Sequence, residues 1–203
     1  MTNEEQNLGL TSGRIETLTD GVFAIAMTLL VLNLGLPQLE EGLSPVGLHT
    51  LLLSQGQKFF NYALSFILLA VFWMIHHQQF HHIKRTDRVH IWINIFILMF
   101  VALIPFSTSL IGDYSNDWMA EFFFGGNMFL VGVLFELNWT YATRIKPLAD
   151  NISAKYMVVA MRRGLVTPLV ALAAMILALL RLPSTHIYLL IPIILTLPLF
   201  RRG

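Results

Sequence analysis

Six apolar stretches, each near the length needed to cross a bilayer, constrain this chain more than any other feature. They run Leu18 to Leu36, Phe59 to Ile75, Ile91 to Ile111, Phe122 to Tyr141, Leu165 to Leu182 and Ile187 to Phe200. A spanning helix requires about 20 mostly apolar residues. In hydrocarbon every backbone N–H and C=O must be paired internally, and the period-2 alternation of a lipid-facing barrel strand is absent, which leaves helices. Composition agrees: 56% of residues are hydrophobic and 12% charged, against about 25% charged in a typical soluble domain, and mean hydropathy is +0.67. The expected fold is therefore an all-α membrane protein with six transmembrane helices in one domain, residues 14–203, behind a polar tail of residues 1–13. That tail carries Glu4 and Glu5 and lacks a basic n-region and a small-residue cleavage site, so the first apolar segment is expected to act as its own insertion signal.

Eleven of the thirteen cations fall on one side of this topology, leaving Lys58 and Arg181 opposite. By the positive-inside rule both termini are cytoplasmic. The outer loops carry Glu40, Glu41, Asp113 and Asp117, which either enrich cations near a pore mouth or are ordinary solvated residues. A net charge of +1 gives no reason to expect nucleic acid, and a chain without cysteine uses neither disulfides nor thiolate metal sites. Pro105, Pro168, Pro192 and Pro198 fall within or near helices and favour kinks. No repeat relates the first three segments to the last three, which weakens an inverted-repeat transporter.

The first segment mixes chemistries. Asp20 lies one turn inside it, and an ionisable residue there is a functional hypothesis by default. With about 100° between successive residues, Leu18, Ile25, Leu29, Leu32 and Leu36 fall within about 40° of one line. Gly21, Ala24 and Thr28 flank this seam as a ridge of small residues that permits close helix approach. Asp20 projects about 140° from Ile25, which makes it an anchor and not part of the seam. The seam faces either lipid or its own symmetry mates; in the second case it forms a dewetted constriction of the kind that gates ion pores.

Segment 2 ends in Phe72-Trp-Met-Ile-His-His-Gln-Gln-Phe-His-His82, and segment 3 begins near His90 with Trp92 and Asn94. The topology brings Asp20, Trp73, His76, His77 and Asn94 into one cytoplasmic layer, where indole, imidazole and amide groups supply donors to the carboxylate. A histidine-box metal site is the competing reading, but one cluster stands without carboxylates at ligand spacing; His81 and His82 are expected in the polar loop. His76 and His77 suit structural hydrogen bonding or pH sensing. Asn33, Asn127, Glu136 and Asn138 are further intramembrane polar groups, with Glu136 read as interfacial.

These residues resemble the transmembrane protein 175 potassium channels, whose lysosomal members hold two six-helix repeats and whose prokaryotic members hold one. The family hallmark Arg-x-x-x-Phe-Ser-Asp is matched at Arg14, Leu18, Thr19 and Asp20, with Phe replaced by Leu and Ser by Thr. Phe72-Trp73 with His76-His77, Asn94, and Leu103-Ile-Pro-Phe-Ser107 follow the prokaryotic pattern in the same order. The likeness covers segments 1 to 3 well and segments 4 to 6 mainly by hydropathy. It implies a homotetramer in the plasma membrane of a prokaryote, with helix 1 of each subunit lining a central pore. It also implies a constriction at Ile25, further apolar rings at Leu29 and Leu32, and a hydroxyl ring at Thr28; the helical wheel selects the same apolar positions. No Thr-Val-Gly-Tyr-Gly filter occurs.

Three functions compete at this point. The first is a potassium-selective leak channel, passing K⁺ and other monovalent cations and also protons as similar lysosomal proteins do, with no cofactor and no enzymatic activity. The second is a proton-coupled secondary transporter using Asp20 and the histidines; the third is a membrane metalloenzyme. A transporter requires a polar site near the midplane, whereas this chain places its charge at the helix end.

Overall fold

The computed structural model describes residues 12–35, 48–115, 117–146, 148–149 and 152–196. Helix α1 (Ser12–Leu29) ends in a 3-10 turn over Leu30–Leu34. A short α2 (Leu48–Ser54) leads into α3 (Gly56–His82), followed by α4 (Arg88–Asp113) and by α5 (Trp118–Thr140), which runs on as a π turn, Tyr141–Ile145. Helix α6 (Ala154–Leu179), a 3-10 turn over Thr185–Leu189 and α7 (Leu190–Thr196) complete the described chain. Five of these helices are long and apolar enough to cross a membrane; the segment Thr185–Thr196 is shorter. The sixth expected stretch extends beyond the described residues.

Helix α1 packs on α3 and α4, α4 on α5, α5 on α6, and α7 on α6 and α3. In α1 the stripe Ile15, Thr19, Phe23, Ala26 and Leu30 is buried, the spacing of one helical face. Because lipid is as apolar as leucine, such a face stabilises by packing and hydrogen bonding, not by transfer out of water. Polar stitches follow: Asn61 Nδ2 donates to Ile111 O at 3.1 Å, Thr108 Oγ1 lies 2.8 Å from Ser65 Oγ, and Asn127 Nδ2 donates to Ser107 Oγ at 3.2 Å. Pro105 and Pro168 lie inside α4 and α6. The amide of Asn33 donates to Pro105 O at 2.8 Å, tying the 3-10 end of α1 to α4.

The α5–α6 contact is the tightest approach. A Cβ on Gly132 would lie 2.7 Å from Pro168 Cδ and 2.9 Å from Pro168 N, and one on Gly125 would lie 2.7 Å from Met175 Cγ. Opposite them α6 buries Ala171, Ala174 and Ala178 completely. Glu136, expected at the interface, is half-buried with its carboxylate against Gly164 of α6. Its neighbours line a largely apolar groove, which is why it does not simply project into water. Helix α6 closes with Leu182 N donating to Leu177 O and Arg181 N to Ala178 O, both at 2.9 Å, a Schellman arrangement that places Arg181 at φ 58°.

The two ends of the bundle differ as the charge pattern predicts. At one end Lys84 N and Arg85 N both donate to Leu148 O, and Ile83 bridges Ala149, so the α3–α4 and α5–α6 connections are clasped together. Asp87 caps α4 by accepting from His90 N and also accepts from Tyr141 Oη at 2.8 Å. Lys58 and Arg181 occupy the other end, with Lys58 paired to Asp113 at 2.6 Å. Asp117 caps α5 through Met119 N. Two of the four outer-loop acids therefore have local structural partners, and Glu40 and Glu41 lie outside the described residues. His81 and His82, expected in a loop, form the last residues of α3; the helix continues past the apolar stretch because nothing in His-His-Gln-Gln-Phe-His-His breaks it. The start of α6 likewise precedes Leu165, since Ser153 Oγ caps the helix by accepting from Tyr156 N at 3.1 Å.

Candidate pore-lining helix and its polar anchor

Opposite its buried stripe, α1 presents Leu18 (54% exposed), Ile25 (60%), Leu29 (42%) and Leu32 (71%), none covered by its own chain. The 3-10 turn breaks the 100° step after Leu29, yet Leu32 stays on the open side; Leu36 lies outside the described residues. Gly21, Ala24 and Thr28 are exposed as well, and a Cβ on Gly21 would meet nothing within 4 Å. Thr28 Oγ1 donates to Ile25 O at 2.8 Å, which satisfies its proton while leaving the oxygen free to accept.

The anchor is built as a chain of hydrogen bonds across four helices. Trp73 Nε1 donates to Asp20 Oδ1 at 2.8 Å. One residue earlier, Thr19 is buried with Oγ1 3.4 Å from His76 Nε2. His76 Nε2 also lies 3.1 Å from Asn94 Oδ1, and Asn94 Nδ2 donates to His90 O at 2.8 Å and to Asn138 Oδ1 at 2.9 Å. Since both amide hydrogens of Asn94 are committed, its Oδ1 must accept, and His76 therefore carries its proton on Nε2. Asn138 Nδ2 continues to Gln79 Oε1 at 2.8 Å, and Gln79 Nε2 ends the chain on Phe135 O at 3.2 Å.

Four of the five residues expected in one polar layer meet here, joined by Thr19. Asp20, Thr19, Trp73, His76 and Asn94 share one layer, with Arg14 exposed near the start of α1. His77 does not join the hydrogen-bonded chain; it is exposed and stacks on Trp73 with ring centroids 5.9 Å apart. The carboxylate of Asp20, expected to take donors from the layer, takes one from Trp73 but stays exposed within the chain, because α3 covers only one side of it with a Trp73 that is itself 39% exposed. Gln79 and Asn138 are members that the sequence reading did not assign to the layer. Gln79 lies three residues after His76 on the same helical face, a spacing that marks it; Asn138 reaches the layer through tertiary packing alone. Among the described residues no group of three His, Asp or Glu side chains converges to hold a metal.

The fold is that of a polytopic α-helical membrane protein whose first helix leaves an apolar seam and a carboxylate uncovered. Residues 14–105 match the sequence model of the family described as endosomal/lysosomal potassium channel TMEM175. The chain is 34% identical over 143 residues to a potassium channel of Streptomyces collinus, covering 68% of each chain. It is 35% identical over 147 residues to one of Chamaesiphon minutus, covering 71% of this chain and 70% of that one. A crystal structure of a lysosomal potassium-selective channel TMEM175 homolog from Chamaesiphon minutus superposes with a TM-score of 0.76 at 28% identity, covering 94% of this chain and 97% of that one. The chain belongs to the TMEM175 family of channels.

Proposed function

We propose that this protein is a leak-type, potassium-selective cation channel formed by four copies of the chain, with α1 of each copy lining the axis. One observation carries the reading: α1 leaves uncovered a broad arc that runs from Asp20 through Thr28 to Leu32, Ile25 and Leu29. A carboxylate on a membrane helix does not face acyl chains, so this side of α1 calls for protein and water. Four such seams around an axis make a narrow apolar constriction at Ile25, continued by Leu29 and Leu32, with the Thr28 hydroxyls between them. Cations pass it by shedding part of their hydration, which favours K⁺ over the more strongly hydrated Na⁺. Arg14, Leu18, Thr19 and Asp20, with Trp73, His76 and Asn94, hold α1 at the angle the constriction requires, and His77 supports Trp73.

The names of the bacterial relatives support potassium as the permeant ion, and those of the vertebrate relatives, such as the endosomal/lysosomal proton channel TMEM175 of Danio rerio, support protons in the same pathway. The rest of the reading is a single channel domain over residues 14–203 with a polar tail over 1–13 and a sixth span beginning at Thr185. Both termini lie on the cytoplasmic side of a prokaryotic plasma membrane, and no cofactor takes part. The test is ion flux into liposomes carrying the purified protein. Wild type passes K⁺ faster than Na⁺, and Ile25→Asn wets the constriction and raises Na⁺ relative to K⁺. An unchanged ion preference in Ile25→Asn removes Ile25 from the selectivity mechanism, and a pH-sensitive dye in the same vesicles measures the proton component.

A further inference from the structure

Away from α1, two of the residues that line one small cavity between α3, α5 and α6 each carry a buried N–H donor without an acceptor. The donors are the indole Nε1 of Trp139 and the guanidinium Nε of Arg163. Trp139 is 2% exposed, held edge-on by Tyr156 and His82 with ring centroids 6.1 and 6.2 Å away. The cavity measures about 40 Å³ and is also lined by Gln78, Gln79 and Tyr156. One water-sized sphere requires roughly 10–15 Å³, whereas organic-ligand sites run to about 300–1,000 Å³, so the space suits a single small occupant. Its chemistry is one-sided. Indole and guanidinium are donors only, and guanidinium keeps its charge at any physiological pH. Among the described residues no carboxylate pairs with Arg163, and Glu136 lines a separate groove between α5 and α6 instead of this cavity. Two buried N–H donors left unmet are costly, and one anion accepts from both.

We propose that this cavity is a halide site, holding a single chloride that accepts from Trp139 Nε1 and Arg163 Nε. Gln79 gives the site a reach beyond its size, because the side chain that lines it also ends the chain running through Asn138, Asn94 and His76 to Thr19. An occupied site therefore ties α6 to the layer that anchors α1, and conduction depends on cytoplasmic chloride; this last step rests on the pore reading above.

The purified protein is crystallised with bromide in place of chloride, and its thermal midpoint is compared in potassium chloride and potassium gluconate at equal K⁺. The expected results are an anomalous peak between Trp139 and Arg163 and a midpoint about 2–4 °C higher in chloride. Trp139→Phe, which removes the N–H while keeping an aromatic ring, and Arg163→Gln both abolish the shift; Arg162→Gln, at an exposed neighbour, keeps it. Equal midpoints, a shift that survives in Trp139→Phe, or an ordered water that bromide does not replace would overturn the site. A bromide peak in protein that passes no K⁺ would instead sink the pore reading and leave the halide site standing.

Discussion

Gly132 and Gly21 sit on membrane helices of one chain and meet opposite surroundings. Pro168 closes on Gly132 until no side chain fits, whereas around Gly21 there is open space. Both belong to runs of small residues, Gly125 and Gly132 on α5, and Gly21, Ala24 and Thr28 on α1. On α5 the run has found its partner inside the subunit; on α1 it has not. Small residues on a spanning helix mark a close approach without saying whose helix approaches, and the subunit fold separates the two cases.

The largest expected effect breaks the α5 side of this contrast. Gly132→Leu forces a branched side chain into backbone atoms of α6 that cannot rotate away, and overpacking of this kind costs about 1–3 kcal/mol or more. The measurement is the monodisperse fraction and thermal midpoint in detergent; wild-type behaviour would mean that α5 and α6 do not meet as described. Gly21→Leu is the matched change on α1. It leaves the subunit fold within about 0.5 kcal/mol, yet lowers the oligomeric fraction seen by cross-linking, and a loss of the subunit fold itself would place an intrachain partner on α1.

Next comes the polar layer. Asn94→Ala strands His76 and Asn138 together, and leaving buried polar groups unmet costs about 1–3 kcal/mol each. Denaturation of Asn94→Ala beside Asp20→Ala sharpens the comparison, because Asp20 is exposed on the subunit and its loss costs the isolated fold about 1 kcal/mol while weakening assembly more. Near-wild-type yield and assembly with altered conduction in Asp20→Ala would place that carboxylate in the ion path. The smallest effect is a gain: Arg181→Gly relieves the left-handed residue that ends α6 and raises stability by about 0.5–1 kcal/mol, read as a slightly higher midpoint.

The spans were legible because hydrocarbon thickness dictates their length and composition. Their ends were not. The expected start of α6 fell at Leu165 because Lys155, Arg162 and Arg163 depress hydropathy without breaking a helix, and the Ser153 cap carried the better signal. The short α2 also escaped notice, since a helix of only seven residues gives too little periodicity to read. In the site, the hallmark on α1 was legible through the family resemblance, and the meeting of Trp73 and His76 with Asp20 through topology. Asn138 was not, since its role rests on α5 lying beside α3 and α4 at that depth, which no local pattern encodes. The exposure of Asp20 was hidden for the opposite reason: a polar residue in a membrane segment signals that it has a partner, and composition cannot tell a partner in the same chain from one in another copy.

The Asn33 to Pro105 hydrogen bond makes the C-terminal end of the first span depend on a helix that carries none of the proposed ion contacts. The tight turn that carries Leu32 leans on the carbonyl of Pro105, the proline inside α4. A saturation scan scored on conductance would then mark positions around Pro105 as strongly as the wall itself, and drug-resistance or disease variants mapping there would be pore phenotypes produced at second hand.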